Sequence, residues 1–151
     1  MGKRRQAREF AVQFLFQGDF NPDCHKSDMD EAIRLFWEDK EATDDVKRFA
    51  TELIQGTIAH QNQIDELIRK YTENWELNRI AAVDRNVLRL ALYEMLHRTD
   101  VPPVVSINEG VDIAKKFSTA ESGKFVNGIL DRARKDIPRD ARTAAKEQQH
   151  T

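Results

Sequence analysis

The sequence is poor in the features that mark disulfide-bonded or membrane-spanning proteins. Cys24 is its only cysteine, so an internal disulfide is excluded. No apolar run approaches the ~20 residues that cross a bilayer, and the basic N-terminus lacks the apolar stretch of a secretory signal. These absences predict a cytoplasmic protein without a membrane partner.

Side chains for catalysis or metal binding are scarce as well. The four histidines are widely spaced, and none has a second strong ligand at metal-binding distance along the chain. The six glycines form no phosphate-binding loop. Cys24 lies among carboxylates that oppose thiolate formation. We therefore expect no enzyme, no metal site and no cofactor.

Charge is sorted along a chain whose formal net charge is only -2. Acids outnumber bases between residues 19 and 45, whereas bases outnumber acids between residues 111 and 135. Four further bases precede the first acid, Glu9; they are Lys3, Arg4, Arg5 and Arg8. If the two basic regions meet in the fold, they form a patch for phosphates. A solvated charge run without a function is the alternative.

Apolar residues recur at helical spacing through nearly the whole chain, and alternating strand-like runs are missing. This pattern predicts an all-α fold. A chain of 151 residues fits one domain with a real core, which we place at residues 1–138. Residues 139–151 contain no apolar side chain larger than alanine, so we expect a disordered polar tail there.

Local signals set the predicted limits of the first helices. The first helix is expected over residues 4–17, with Gly18 ending it. Ser27 is the predicted N-cap of the second helix, and Thr43 that of the third. An apolar stripe over residues 46–71 predicts that this third helix is long and unbroken.

The second half of the chain holds the predicted centre of the fold. Residues 87–96 are apolar on almost every side, which predicts a buried central helix. The prolines at 102–103 end it. Ser106 and Glu109 have the spacing of a capping box, so the next helix is expected to begin there. A break at residues 118–119 leads to the last helix.

Basic and aromatic residues alternate around this last break, where Lys115, Lys116, Phe117, Lys124 and Phe125 lie. Positive charge for the backbone and flat rings for unpaired bases suit single-stranded RNA. The spacing of the two phenylalanines, about two helical turns, favours by itself the alternative that both are core residues.

Several segments resemble, in order, the family of the bacterial transcription antitermination factor NusB. They are residues 3–9, 84–94, 101–109, 114–117 and 124–131, of which the last two carry the most specific signal. The resemblance implies an all-helical fold of about six or seven helices, arranged as two small bundles that share one core. It also implies a protein without catalytic activity.

The resemblance further implies partners. Proteins of this family pair with the small-subunit ribosomal protein NusE and hold the boxA element of nascent ribosomal RNA, which keeps RNA polymerase from terminating early. The residues that would meet single-stranded RNA are Lys3, Arg4, Arg5, Arg8, Lys116, Phe117, Glu121, Lys124 and Phe125. The residues that would meet the protein partner are Asp84, Arg85 and Glu94.

Two other functions stay open at this point. One is an accessory domain that seats RNA beside a ribosomal RNA methyltransferase, but we expect no room in the chain for the catalytic domain. The other is a self-associating structural helical protein whose basic regions are merely solvated. The sequence leaves monomer and homodimer as alternatives for the free protein.

Overall fold

The structure is a computed structural model that describes residues 2–20, 28–73 and 75–139. Cys24, the predicted cap Ser27 and all of the predicted tail except Arg139 lie outside these residues. Within the described residues the chain has seven α-helices and no strand, so the all-α prediction is confirmed. The helices are α1 (Lys3–Phe20), α2 (Met29–Trp37), α3 (Asp44–Ala59), α4 (Gln61–Tyr71), α5 (Ala82–His97), α6 (Pro103–Phe117) and α7 (Ala120–Asp136), with a short 3-10 helix at Leu77–Arg79.

Helix α5 is the centre of the fold, as its apolar sequence predicts. It packs against α1, α3, α4, α6 and α7. Leu88, Leu92 and Met95 on this helix are fully buried, and each such side chain stabilises the fold by ~1.5 to 3 kcal/mol. Because α1 also packs on α3, and α7 on both α4 and α6, two groups of helices share α5 and one hydrophobic core.

Three helices begin at residues whose side chains accept a hydrogen bond from the first turn. Asp28 accepts from the amide of Glu31 at the start of α2. Thr43, the predicted cap, accepts from the amide of Val46 at the start of α3. Thr119 does the same at the start of α7. Each contact satisfies a backbone N–H that has no partner within its own helix.

Two predicted helix limits are wrong, and tertiary contacts explain both. Helix α1 continues through the buried Gly18 to Phe20, because Asp19 is held by side chains of α5. The predicted long third helix is divided at His60 into α3 and α4. The division allows α3 to pack on α1 and α4 to pack on α7, while both contact α5.

The predicted capping box is also wrong. Helix α6 begins at Pro103, whose fixed φ and missing N–H suit the first helical position, so Ser106 lies inside the helix. The Ser106 hydroxyl is buried and donates to Glu94 Oε1 at 2.9 Å. Glu109 accepts hydrogen bonds from Arg5 instead of closing the helix start.

A charged pair lies in the interior, between Arg8 of α1 and Glu94 of α5. Two parallel hydrogen bonds of 2.8 Å join the guanidinium to the two carboxylate oxygens. Arg8 is 3% exposed and Glu94 is 1% exposed. Ser106 completes the cluster, so α1, α5 and α6 meet at one carboxylate.

We expect Glu94→Gln to lower the free energy of unfolding by about 3 to 5 kcal/mol, because it leaves the buried Arg8 charge without its bidentate partner. Urea denaturation followed by circular dichroism measures this loss. Glu38→Gln is the matched control, since Glu38 and its partner Arg34 are both exposed. The control should lose less than about 1 kcal/mol. Equal, small losses in the two variants would contradict a structural role for the buried pair.

Candidate nucleic-acid interface

The four basic residues before Glu9 all lie on α1, and each pairs with an acid from another part of the chain. The pairs are Lys3 with Asp45 at 3.6 Å, Arg4 with Asp100 at 3.2 Å, Arg5 with Asp112 at 2.9 Å and Arg8 with Glu94 at 2.8 Å. No acid precedes Glu9 in the sequence to neutralise these four bases, but the fold pairs each of them with a distant acid. Because Arg8 is buried, its guanidinium does not reach the surface where RNA was expected to meet it.

Arg5 is held by two carboxylates of α6. Its Nη2 donates to Glu109 at 2.8 Å and to Asp112 at 2.9 Å. Hydrogen bonding to Glu109 is the main reason why the pKa of Arg5 is raised above its ordinary value. The Asp112 side chain is 50% exposed, so this edge of the guanidinium faces solvent. A phosphate can bind such an edge as a carboxylate does.

The basic residues of α1 and the basic region of residues 111–135 meet along the seam between α1 and α6, which is formed by Arg5, Glu9, Asp112 and Lys116. Lys116 Nζ lies 3.0 Å from Glu9 Oε1. Arg5 and Glu9 are one helical turn apart on α1, as Asp112 and Lys116 are on α6. The two ion pairs therefore follow each other along one seam, and the fold brings together the two basic regions that the sequence separates.

Phe117 lies at the end of this seam, on the surface. It is the last residue of α6, and 46% of it is exposed. Its ring and the α1 residues Gln6, Glu9, Phe10 and Gln13 line a groove of about 370 Å³. Lys116 Nζ is 5.6 Å from the centre of the ring. An exposed aromatic face beside a cation can stack on a base while the cation meets the backbone.

Phe125 of α7 has different surroundings. It is partly buried against the core, and its ring lies almost parallel to that of Trp75, with 6.4 Å between the ring centres. Lys124 and Glu121 form a highly exposed ion pair of 3.4 Å one turn apart on α7. Lys124 thus places a second surface cation beside a partly exposed ring.

The three residues predicted to meet a protein partner do not present free charges. Glu94 is in the interior, bound to Arg8, and therefore cannot touch a partner. Asp84 is buried too, and burial raises the pKa of its carboxyl. Arg85 is half-buried and donates to Asp19 at 2.8 Å.

Sequence reasoning missed an aromatic pair on α1 near Asp19, the residue that accepts from Arg85. Phe16 and Phe20 are four residues apart on α1, with their rings edge to face and 5.0 Å between centres. Phe20 is 71% exposed, although the neighbouring Asp19 binds α5. The i, i+4 spacing of the two phenylalanines could have indicated this pair. Because the helix was expected to end at Gly18, Phe20 was placed outside it.

The described part of the chain contains no group of three or more histidines, cysteines or acids that could hold a metal ion. In the same part of the chain no helix is long and apolar enough to cross a membrane.

Comparison with known sequences points to one family. The model of the NusB family matches residues 5–135. The transcription antitermination protein NusB of Thermodesulfovibrio yellowstonii is 46% identical over 140 residues, which cover 89% of this chain and 93% of that protein. The protein of the same name from Bacillus subtilis is 44% identical over 135 residues, which cover 89% of this chain and 97% of the relative.

Solved structures with the same fold include NusB from T. maritima, which is 40% identical with a TM-score of 0.77 and covers 98% of this chain and 97% of its own. A structure of the antitermination factors NusB and NusE in complex with dsRNA contains a chain that is 28% identical, also with a TM-score of 0.77. That match covers 89% of this chain and 97% of the other.

Proposed function

The chain belongs to the NusB family, and from this membership we propose that it holds a single-stranded, boxA-type RNA together with the ribosomal protein NusE during transcription. It is an RNA-binding transcription antitermination factor and not an enzyme. The proposed larger assembly is the transcribing RNA polymerase, and the proposed location is the cytoplasm.

The observation that carries the RNA proposal is the seam between α1 and α6. Two cations that reach the surface and an exposed ring follow one another there, in the order Arg5, Lys116 and Phe117. Arg4 adds a cation at the same end of α1, where it pairs with Asp100 and lies over the ring of Phe49 on α3. This order suits a single strand whose phosphates meet the cations and whose unpaired base meets the ring. Lys3 and Lys124 extend the positive surface at its two ends, Glu121 adjoins Lys124, and Phe125 adds a second ring.

Arg8 has an indirect role in this proposal. Its buried pair with Glu94 fixes the helix that carries Arg4 and Arg5, so Arg8 positions the phosphate-binding residues and does not touch RNA. Contacts to phosphate set affinity and register, whereas contacts to bases read sequence. Selectivity for one RNA is therefore assigned to the rings and not to the arginines.

The face proposed for NusE contains Phe16, Phe20 and Arg85. An exposed aromatic ring beside a cation that is already paired is typical of the residues that dominate protein interfaces. Asp19 joins the two parts of this face, since it precedes Phe20 and accepts from Arg85. In this assignment Asp84 and Glu94 do not touch the partner, because both are buried.

No observation favours a methyltransferase accessory domain. The relatives from T. yellowstonii and B. subtilis match over 93% and 97% of their own lengths, and both are named antitermination proteins.

We expect Asp112→Asn to strengthen binding of a boxA-type RNA by about two- to five-fold, because it removes a carboxylate that competes with phosphate for Arg5. Fluorescence anisotropy at one fixed salt concentration measures the change. Asp30→Asn is the matched control, since it alters the net charge equally at an exposed position on α2. If Asp112→Asn gains no more affinity than the control, Arg5 is not a phosphate contact.

Phe117→Ala should weaken binding of the same RNA by about 5- to 100-fold, which is the loss of one stacked base. Its free energy of unfolding should fall by less than about 1 kcal/mol, because the ring is exposed. The buried Phe36 provides the comparison, for which Phe36→Ala should lose ~3 to 5 kcal/mol of stability. A stable Phe117→Ala variant with normal RNA affinity would remove the ring from the proposed site.

Phe20→Ser should weaken binding to purified NusE by about 10-fold or more, as expected for an exposed aromatic side chain at an interface. RNA binding by the isolated chain should stay unchanged, because Phe20 is at the opposite end of α1 from Arg4 and Arg5. Calorimetric titration with NusE gives the affinity, and Leu35→Ser provides a control at another exposed apolar residue. Normal pairing of Phe20→Ser with NusE would place the partner on another face.

A further inference from the structure

Two histidine side chains meet where α3 and α4 divide. The rings of His60 and His97 are stacked, with 3.8 Å between their centres and 16° between their planes. His60 separates α3 from α4, and His97 is the last residue of α5. This histidine pair is therefore a contact between the start of α4 and the end of α5.

The histidine pair adjoins the core through Tyr93 of α5. Tyr93 is buried, and the centre of its ring lies 6.1 Å from that of His60 and 5.7 Å from that of His97. The same ring lies on the backbone of α3 at Gly56, where a Cβ would collide with it. Because α3 and α5 approach so closely here, the inner side of the histidine pair has a fixed position.

The start of α4 depends on this contact because it has no side-chain cap of its own. His60 is at the N-cap position, but its side chain accepts no hydrogen bond from the first turn. Gln63 in that turn is joined to His97, with 3.1 Å between Oε1 and Nε2. The other end of α4 is fastened separately, since the Tyr71 hydroxyl donates to Asp136 at 2.6 Å. Loss of the histidine pair would therefore free the first turn of α4 and leave its last turn attached.

The charges around the histidine pair do not assist its protonation. Acids on the surrounding elements are bound to arginines. The pairs are Glu52 with Arg98, Asp65 with Arg89, Glu66 with Arg69, Glu94 with Arg8 and Asp100 with Arg98. Arg139 donates to the carbonyl of Met95 in the last turn of α5 at 2.9 Å. Its charge already meets the negative end of the α5 dipole, which would otherwise favour a protonated His97.

The geometry of the histidine pair favours two neutral rings. Burial is the main reason why the pKa of His97 is lowered, and the neighbouring His60 lowers it further. Two imidazolium rings at this distance repel each other, whereas neutral rings can stack. The same geometry does not suit a shared metal ion, because the nitrogen lone pairs lie in ring planes that are nearly parallel and do not converge.

We propose that the histidine pair is a pH-sensitive contact, which holds the first turn of α4 on α5 while both rings are neutral and releases it when both are protonated. The inference is independent of the RNA and NusE assignments. Histidine is the side chain whose ordinary pKa places its change of charge between about pH 5 and 8. The arginine, lysine and carboxylate groups of the seam between α1 and α6 keep their charges in this range, so the release is confined to α4.

The direction of the pH dependence follows from the lowered pKa of His97. Between this lowered value and the ordinary value of about 6.5, the unfolded chain binds more protons than the folded chain does. The contact is therefore fully stable above the ordinary value, and its stability is lost as the pH falls through the lowered one.

The test is amide hydrogen exchange of the full chain, followed by NMR and expressed as protection relative to the intrinsic rate at each pH. The Ile64 amide, which donates to the His60 carbonyl, reports on the first turn of α4. Its protection should fall at least about five-fold between about pH 8 and pH 5, the factor expected for two unit charges about 4 Å apart in water. The Thr72 amide, which donates to the Ile68 carbonyl at the far end of α4, should keep its protection.

Side-chain variants separate the histidine pair from general acid denaturation. His97→Gln should make the protection of Ile64 largely independent of pH in this range. Gln63→Glu gives His97 a carboxylate acceptor, so the protection of Ile64 should be kept or increase as the pH falls. Asn62→Asp is the matched control, since it adds the same charge at an exposed position in the same turn, and it should behave as the unmodified protein does.

The imidazole resonances provide a second measurement, which a purely structural contact would not alter. The titration midpoint of His97 should lie below the ordinary value and should rise in the His60→Gln variant, because the neighbouring positive charge is then absent.

Two results would overturn the inference. If His97→Gln keeps the full loss of protection at Ile64, or if Thr72 loses as much, acid acts at another group, such as the buried Asp84 at the opposite end of α5. If the midpoint of His97 is the same in His60→Gln as in the unmodified protein, the two rings do not sense each other's charge.

Discussion

The fold and the proposed site both depend on the ion pair between Arg8 and Glu94. A charge in the protein interior is tolerated when its partner and its remaining hydrogen bonds are supplied, and here Ser106 completes the set. The pair joins α1 to α5, and Ser106 of α6 donates to the same carboxylate. Helix α1 therefore has one rotation about its axis relative to α6, and this rotation turns Arg5 and Glu9 toward Asp112 and Lys116. The surface proposed for RNA lies where α1 faces α6. The buried pair fixes the orientation of these helices.

The proposed site is basic only locally, in a chain with a pI of about 6.1. In the free protein the surface arginines of α1 are paired with carboxylates. An RNA phosphate that binds one of these arginines must therefore displace a carboxylate. This arrangement holds long side chains in extended positions and reduces the entropy lost when RNA binds. It also weakens attraction to polyanions in general, because each carboxylate opposes the phosphate that would replace it.

Features that depend on a few neighbouring residues could be predicted from the sequence. The apolar run of α5, the cap at Thr43 and the break at residues 118–119 are of this kind. Features decided by distant residues could not be predicted. Asp19 carries α1 past Gly18 because its partners are on α5, and Ser106 faces Glu94 instead of capping a helix. The site follows the same rule: the charges of Arg8 and Glu94 were visible, but their burial was not, and the exposure of Phe117 and Phe20 depends on which helices cover them.

The buried pair also limits how this family can change over generations. Replacing Arg8 or Glu94 alone leaves a charge in the core without its bidentate partner, whereas replacing both with apolar residues of similar volume can be neutral for stability. A lineage that loses the pair must therefore change two codons that lie far apart in the gene, through an intermediate that folds poorly. We accordingly expect the two positions to covary among relatives: where one is charged the other carries the opposite charge, and where one is apolar the other is apolar too.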